Sequence, residues 1–394
     1  MLHNYNPLSA IDKAQRVREI RETMAESPSV FVYGATGYTG RLICQNLAER
    51  RIPFIAGGRN LAKAKALCEE FPGSPCQAME VEHSIAGLRH AFASCEVVIN
   101  CTGPFGLLGM TVVKAALEAN CHYLDTTGEQ DFMLEVKESM ASLAEERERV
   151  VVTGNSWYYA LGACAAEICL SKGSFDDLTL IYIPRGKPTL ASLQSLLRTA
   201  RRRGFYLVDQ TQRPNRSYRR SLKLPISQER VRAMTIPTGE AVYYLGDPRV
   251  RNVKGHFVAE SRGSYSMFSI WYYLAKIFGD RIDDFGDDLV QRFYTSPPAE
   301  DAEKTKFVVA ALAQNSTSKS RGPQASVEIH GSAPYRVTGF LCAEAASRLL
   351  AGEILQRGVI STADAFGADS ILQALATTDV ITTVNDGRSI SDLS

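Results

Sequence analysis

Val30-Phe31-Val32-Tyr33-Gly34-Ala35-Thr36-Gly37-Tyr38-Thr39-Gly40 begins as a short β-rich run and ends in a glycine-rich turn. From Thr39 to Arg50 the apolar residues Leu42, Ile43 and Leu47 then recur at helical spacing. Glycines between a strand and a helix permit a tight turn and close backbone approach, so that the amides of the helix N-terminus can meet a pyrophosphate. A turn of this kind also occurs in sheets that bind nothing, and its surroundings decide between the two. Here further strand–helix units follow. Pro53 to Ala56 reads as a second strand and 61–70 as a helix; Cys76 to Val81 is a weaker strand. Val97-Val98-Ile99-Asn100 is continuously apolar, as a strand covered on both faces should be. Thr111 to Ala119 reads as helical, His122 to Asp125 as a strand, 131–148 as a charged helix, and Val150 to Thr153 as a sixth strand. The alternation predicts an α/β fold with a doubly wound parallel sheet.

After about residue 160 the texture changes. Leu178 to Ile183 reads as a strand and 190–203 as a helix ending in basic residues. Short β-like stretches broken by Pro214, Pro225, Pro237 and Pro248 lead to an aromatic run, Tyr265 to Leu274. Strands are expected at Lys306 to Val309 and Ser326 to Ile329, then a helix from Val337 to Leu350. The expected division is an N-terminal helical extension (1–28), a nucleotide-binding domain (29–160), an inserted mixed α+β domain for substrate and dimerisation (161–335), and a C-terminal helical return onto the first domain (336–394).

The chain has 394 residues, 45% hydrophobic and 22% charged, with a formal net charge of +1. That balance excludes disorder and general nucleic-acid binding. No apolar run approaches the ~18–20 residues that span a bilayer. Nine cysteines include no CxxC pair, and Cys44 and Cys68 follow apolar residues. They read as thiols in a reducing, cytoplasmic compartment, with no metal.

At the end of the second strand, where a carboxylate would grip the ribose hydroxyls of NAD, stand Gly57-Gly58-Arg59-Asn60 and then Lys63. A guanidinium pairs with a 2′-phosphate that an acid would repel, which points to NADP(H). Asn100-Cys101-Thr102-Gly103-Pro104-Phe105-Gly106 sits at the carboxyl end of the fourth strand, where ligands of open parallel sheets bind. The expected cofactor contacts are Gly34, Thr36, Gly37, Tyr38, Thr39, Gly40, Arg59, Asn60, Cys101, Thr102, Gly103, Pro104 and Phe105. For proton transfer the candidates are Tyr158, Tyr159, Asp125, Glu129 and His122, with Tyr158 and then Asp125 preferred. Tyr158 could equally pack beneath the cleft, and Asp125 could cap a turn. The remaining histidines are scattered without ligand spacing.

At these residues the chain resembles the saccharopine dehydrogenase-like oxidoreductases, trans-acting enoyl reductases among them. The likeness lies in Val32 to Arg41, Ala56 to Arg59, Val98 to Phe105 and Cys121 to Glu129, and more loosely in Pro334-Tyr335-Arg336-Val337-Thr338-Gly339. It implies a Rossmann-type domain, a nicotinamide cofactor and reduction of a C=C or C=N bond in a hydrophobic or carrier-bound biosynthetic intermediate. An amino-acid-derived imine reductase or dehydrogenase, and a non-catalytic NADP(H)-binding sensor, are the alternatives. Where such relatives carry Gly-aromatic-Asp-x-x-Pro after the sixth strand, this chain reads Gly154-Asn155-Ser156-Trp157-Tyr158-Tyr159-Ala160-Leu161-Gly162, without the Asp or the Pro. A homodimer is expected, with no nucleic-acid partner and no integral membrane segment. Between 198 and 223 nine basic residues (Arg198, Arg201, Arg202, Arg203, Arg213, Arg216, Arg219, Arg220, Lys223) face one acid, Asp209. The cluster is either a solvated face or a dock for an acidic carrier protein.

Overall fold

The computed structural model describes residues 29–186, 189, 192–194, 204–215, 219–258, 305–318 and 322–385. The N-terminal extension, most of the 190–203 helix, the aromatic run at 265–274 and Arg198, Arg201, Arg202, Arg203 and Arg216 lie outside the described residues.

The first sheet is parallel throughout. It contains β1 (Val30–Tyr33), β2 (Phe54–Gly58), β3 (Cys76–Glu80), β4 (Val97–Asn100), β5 (His122–Asp125), β6 (Val150–Val152) and β15 (Gly358–Val359), in the order β15-β6-β5-β4-β1-β2-β3. The connecting helices are α1 (Tyr38–Glu49), α2 (Leu61–Glu69), α3 (Ile85–Phe92), α4 (Phe105–Glu118) and α5 (Gln130–Glu146). Both faces of the sheet are covered. Val30 and Val32 join one core cluster with Ile43 and Leu47 of α1, while Phe31 and Tyr33 join another with Phe92, Val112 and Val113. Side chains on a strand alternate between faces, so continuously apolar strands such as Val97 to Ile99 fit only a sheet buried on both sides. The sequence pattern gave no sign of α3; it spans eight residues with Gly87 inside it, and its Ser84 N-cap accepts from the Gly87 N–H at 3.1 Å.

The second sheet is mixed and has nine strands. These are β7 (Asp177–Pro184), β8 (Phe205–Val208), β9 (Thr211–Pro214), β10 (Arg219–Lys223), β11 (Arg230–Ile236), β12 (Asn252–Phe257), β13 (Lys306–Gln314), β14 (Ala325–Ser332) and β16 (Ile381–Asn385). Helix α6 (Tyr159–Ser171) packs on β13 and β14. Ten of its residues, including Ala160, Leu161, Gly162, Ala163 and Cys164, are buried, and its core cluster holds residues of both sheets. A helix apolar all round has no face for solvent and must be enclosed.

The C-terminal part begins as the expected helix, α8 (Pro334–Ala351), followed by α9 (Thr362–Phe366) and α10 (Ala368–Ala376). It is not purely a helical return, because β15 joins the first sheet and β16 the second. Helix α8 packs on α1, and Arg50, which caps the C-terminus of α1, pairs with Glu344 of α8 at 2.6 Å. The reading of every cysteine as a thiol also needs correction. Cys68, at the end of α2, is bonded to Cys76, which opens β3; their Cα atoms are 5.5 Å apart, and the other seven cysteines are free. A spacing of eight residues carries no local signal for such a bond.

A Cβ on Gly339 of α8 would lie 3.0 Å from Leu42 Cβ and 3.1 Å from the Leu42 carbonyl. Gly339→Val should therefore force the helices apart and destabilise the protein by roughly 1–3 kcal/mol. A denaturation midpoint equal to that of the wild type would contradict the close approach.

Candidate functional site

The order of the first sheet reverses between β1 and β4, and there the loops after the two strands touch. Gly34 turns with φ +85°, and a Cβ on it would come within 2.6 Å of Thr102 Oγ1. Gly40 serves packing, since a Cβ there would meet the Gly34 carbonyl and stand 2.8 Å from Ala35 Cα. Gly37 differs. It is the exposed N-cap of α1, and the closest atom to a Cβ would be Gly34 O at 3.3 Å. Helix α1 has no side-chain hydrogen bond at its N-cap and no acid in its first turn, so the positive end of its dipole favours an anion. Thr36 is exposed beside them, with Tyr38 and Thr39 half-buried; the Tyr38 ring meets Tyr335 edge-on at 5.3 Å.

The N-terminus of α4, one strand away, is already filled. The Phe105 and Gly106 N–H groups each donate to the Glu129 carboxylate at 3.0 Å. Glu129 thus supplies the negative charge that this helix end favours. The Phe105 ring turns inward against Phe132, leaving exposed Gly103 and half-buried Cys101, Thr102 and Pro104 along the edge. The Gly103–Pro104 peptide is cis. Asn100 is a scaffold residue: its Oδ1 accepts from Thr102 N at 2.9 Å and its Nδ2 donates to Tyr123 Oη at 3.0 Å. Burial pushes the Cys101 thiol well up, which leaves it protonated and unreactive.

Beyond β2, Arg59 is exposed at the same edge, and its charge opposes the burial that raises the Tyr33 phenol. Asn60 caps α2, its Oδ1 accepting from Lys63 N at 2.9 Å. Tyr33 Oη lies 3.0 Å from Nδ1 of exposed His83, so this edge gains an imidazole that its sequence context gave no reason to single out.

The five proton-transfer candidates separate by position. His122 opens β5 and so lies at the end of the sheet away from the ligand edge. Its Nδ1 accepts from Val150 N at 3.0 Å, and burial beside Arg149 and Arg357 brings its pKa down to about 4. Tyr159 is buried and donates to Gly128 O at 3.1 Å, while Glu129 is held by α4. Asp125 and Tyr158 stand at the carboxyl edge. Asp125 Oδ1 accepts from Thr127 N at 2.9 Å and Gly154 N at 2.8 Å, which fixes the loops after β5 and β6. Its Oδ2 has no hydrogen-bond partner among the described residues, and burial raises its pKa to about 7. The half-buried Tyr158 ring stacks on Tyr182 with centroids 3.9 Å apart and contacts Trp157 at 5.4 Å; Trp157 in turn packs on Phe307 at 5.0 Å. Tyr182 and its partner Glu240 escaped the sequence reading, because neither carries a local motif. Among the described residues no group of three or more His, Cys, Asp or Glu could hold a metal ion, and no helix is long and apolar enough to cross a membrane.

Residues 30–153 match the saccharopine dehydrogenase NADP binding domain, and 160–384 match a family of unknown function (DUF5938). NADP(H) is accordingly the cofactor of the first domain. A saccharopine dehydrogenase-like oxidoreductase of Homo sapiens is 29% identical over 119 residues, 26% of this chain and 28% of that protein. A lipid droplet localized protein of Caenorhabditis elegans is 27% identical over 141 residues, 32% of this chain and 33% of that protein. The chain thus matches a third or less of the length of these curated relatives. Apo saccharopine dehydrogenase (L-Glu forming) from Saccharomyces cerevisiae covers 91% of this chain and 99% of its own, with TM-score 0.56 at 14% identity, a likeness of fold.

Two outcomes test this geometry. Gly37→Val should stay folded and lose NADPH binding in calorimetric titration, whereas Gly40→Val should fail to fold; retained affinity in folded Gly37→Val would move the cofactor off this turn. For Asp125, the folded state holds its proton up to about pH 7 while the unfolded chain releases it near 3.8. Stability should therefore fall as pH rises across that window, by at most about 1.4 kcal/mol per pH unit. Asp125→Asn should remove that part of the slope in denaturant titrations run at several pH values.

Proposed function

The chain belongs to DUF5938, a family of unknown function, behind an NADP binding domain, and we propose that it is an NADPH-dependent reductase of a C=C or C=N bond. The observation that carries this reading is one continuous edge. It runs from the N-terminus of α1, with Arg59 to one side, past the 101–104 loop to Asp125 and Tyr158. The glycine cradle fits a dinucleotide, since a Cβ at Gly34 or Gly40 would collide with the protein, whereas Gly37 is exposed and a Cβ there meets only the Gly34 carbonyl, at 3.3 Å.

Bound NADPH supplies the hydride for the electrophilic carbon of the substrate double bond. The chain does the rest. The α1 amides hold the pyrophosphate, with Gly34, Thr36, Gly37, Tyr38, Thr39 and Gly40 shaping the turn. Arg59 pairs with the 2′-phosphate next to the Asn60 cap, while Cys101, Thr102, Gly103 and Pro104 wall the nicotinamide half and Phe105 anchors their loop. Reduction leaves the neighbouring atom in need of a proton, which the Tyr158 phenol gives up and recovers from solvent. Asp125, uncharged over part of the neutral range, keeps a fixed negative charge away from the incoming hydride.

The half-buried Trp157–Tyr158 pair, backed by Phe307, suits a hydrophobic substrate. The basic residues of 198–223 suit an acidic carrier that presents it. Seven of nine cysteines are thiols, in keeping with a cytoplasmic enzyme. The saccharopine-type alternative, reduction of an amino-acid-derived imine, uses the same edge.

Loss of NADPH absorbance with α,β-unsaturated thioesters, compared with mixtures of a 2-oxo acid and an amino acid, chooses between C=C and C=N. Nucleotide binding without turnover on either would overturn the enzymatic reading in favour of a sensor. Arg59→Ala should weaken NADPH binding by about 1.5–3 kcal/mol and barely affect NADH; equal losses for both would place the 2′-phosphate elsewhere. Replacing Arg201, Arg202 and Arg203 by Ala should lower activity on a carrier-bound thioester and spare the free one, and unchanged activity on both returns the cluster to solvated surface.

A further inference from the structure

Behind Tyr158 the protein buries an acid that this chemistry leaves unused. Glu240, the second residue of α7 (Gly239–Tyr243), is fully enclosed. Its Oε1 accepts a hydrogen bond from the Tyr182 hydroxyl of β7, and its Oε2 has no hydrogen-bond partner among the described residues. The Thr238 hydroxyl is close by, yet neither it nor Oε2 completes a bond of good geometry. Room for the pair comes from Gly162 of α6, where a Cβ would collide with both Glu240 Oε1 and Tyr182 Oη. Tyr182 is the ring on which Tyr158 stacks, so one connected group runs from the ligand edge to the buried acid.

The groups facing Glu240 do not neutralise it. Tyr158 just before α6, Tyr159 of α6, Tyr182 of β7 and Tyr243 of α7 are phenols that burial raises further, hence uncharged. Lys137 of α5 reaches α7, but its ammonium donates to the carbonyls of Val242, Tyr243 and Leu245 at 2.8, 3.1 and 2.8 Å. No ion pair reaches Glu240 among the described residues. A buried carboxylate with one empty oxygen is costly, whereas its neutral form fits the site.

We propose that Glu240, acting through Tyr182, is a positioning and charge-setting residue for Tyr158. The hydrogen bond to Glu240 holds the Tyr182 ring beneath Tyr158. While Glu240 is neutral, Tyr158 can pass its proton to the substrate atom beside the hydride acceptor and become a phenolate, which solvent then reprotonates. Once Glu240 ionises, its charge opposes that phenolate, and proton delivery slows. Burial places the titration of Glu240 at about pH 7, within the working range.

This inference rests on the reductase reading, so its test has one arm that needs no turnover. Trp157 touches Tyr158, and in a Trp271→Phe background its fluorescence reports the group alone. That fluorescence should titrate near neutral pH in the parent, lose the transition in Glu240→Gln and keep it in Asp125→Asn. Tyr182→Phe retains the stack and removes a hydrogen bond that favours the charged acid, so its midpoint should move to higher pH; this variant also serves if Glu240→Gln fails to fold. In the second arm, kcat on whichever substrate is reduced should fall from roughly pH 6 to pH 8, and Glu240→Gln should remove about tenfold of that fall, the effect of one pKa unit of coupling, leaving the part that Asp125 contributes. A transition that survives in Glu240→Gln, or a midpoint that does not move in Tyr182→Phe, overturns the proposal. A clean fluorescence result with no turnover on any substrate leaves the charge device standing and overturns the reductase reading.

Discussion

Helix α6 has no face to give to water. Its residues from Tyr159 to Cys169 are packed by β13 and β14 of the second sheet and by α9 and α10 of the C-terminal part. Each apolar side chain enclosed there contributes on the order of 1.5–3 kcal/mol, so the helix fastens the second sheet to the C-terminal helices. That constraint fixes the edge. Tyr158 precedes α6 directly, Gly162 opens its first turns to Glu240, and Asn155 just before it donates to the Leu341 carbonyl of α8 at 3.2 Å. Small residues along α6 allow this proximity.

Electrostatics then sort similar features into different roles. Helices α1 and α4 both begin at the carboxyl edge without a capping side chain of their own. One is quenched by Glu129 from a neighbouring loop, and the other has no acid in its first turn. The same sorting applies to carboxyls. Glu328 of β14, buried as deeply as Glu240, accepts from the Ile226 and Ser227 amides and stands 3.2 Å from His330, and these partners hold it below the usual carboxylate range. Glu240 and Asp125 each keep an unpartnered oxygen, and both rise. Burial alone does not decide the charge; the number of donors does.

Much of the first domain was legible because its signals are local. A four-residue apolar strand, a glycine turn and a helical stripe sit within twenty residues of one another, and the structure repeats that pattern from β1 to β6. The ends of β3 and the presence of α3 were less so, since short half-exposed elements carry little periodicity. Four features were invisible for a different reason, namely that their partners are distant in the chain or carry no motif. Tyr182 and Glu240 are 58 residues apart. Glu129 was quoted as part of a motif, yet its hold on α4 is a contact across 24 residues. The Cys68–Cys76 bond and the two-residue strand β15 follow from how helices and sheets meet, which composition does not encode.

The placing of β15 and β16 has a consequence for how the protein is made. The first sheet is closed by residues 358–359 and the second by residues 381–385, so both wait for the same late segment. On a ribosome, the strands β1 to β6 emerge long before their outer neighbour exists, and Val150 to Val152 spend that interval as an unprotected edge. A nucleotide arriving early would meet an unfinished sheet. Synthesis of residues 358–385 is therefore the moment at which both sheets gain their outer strands together.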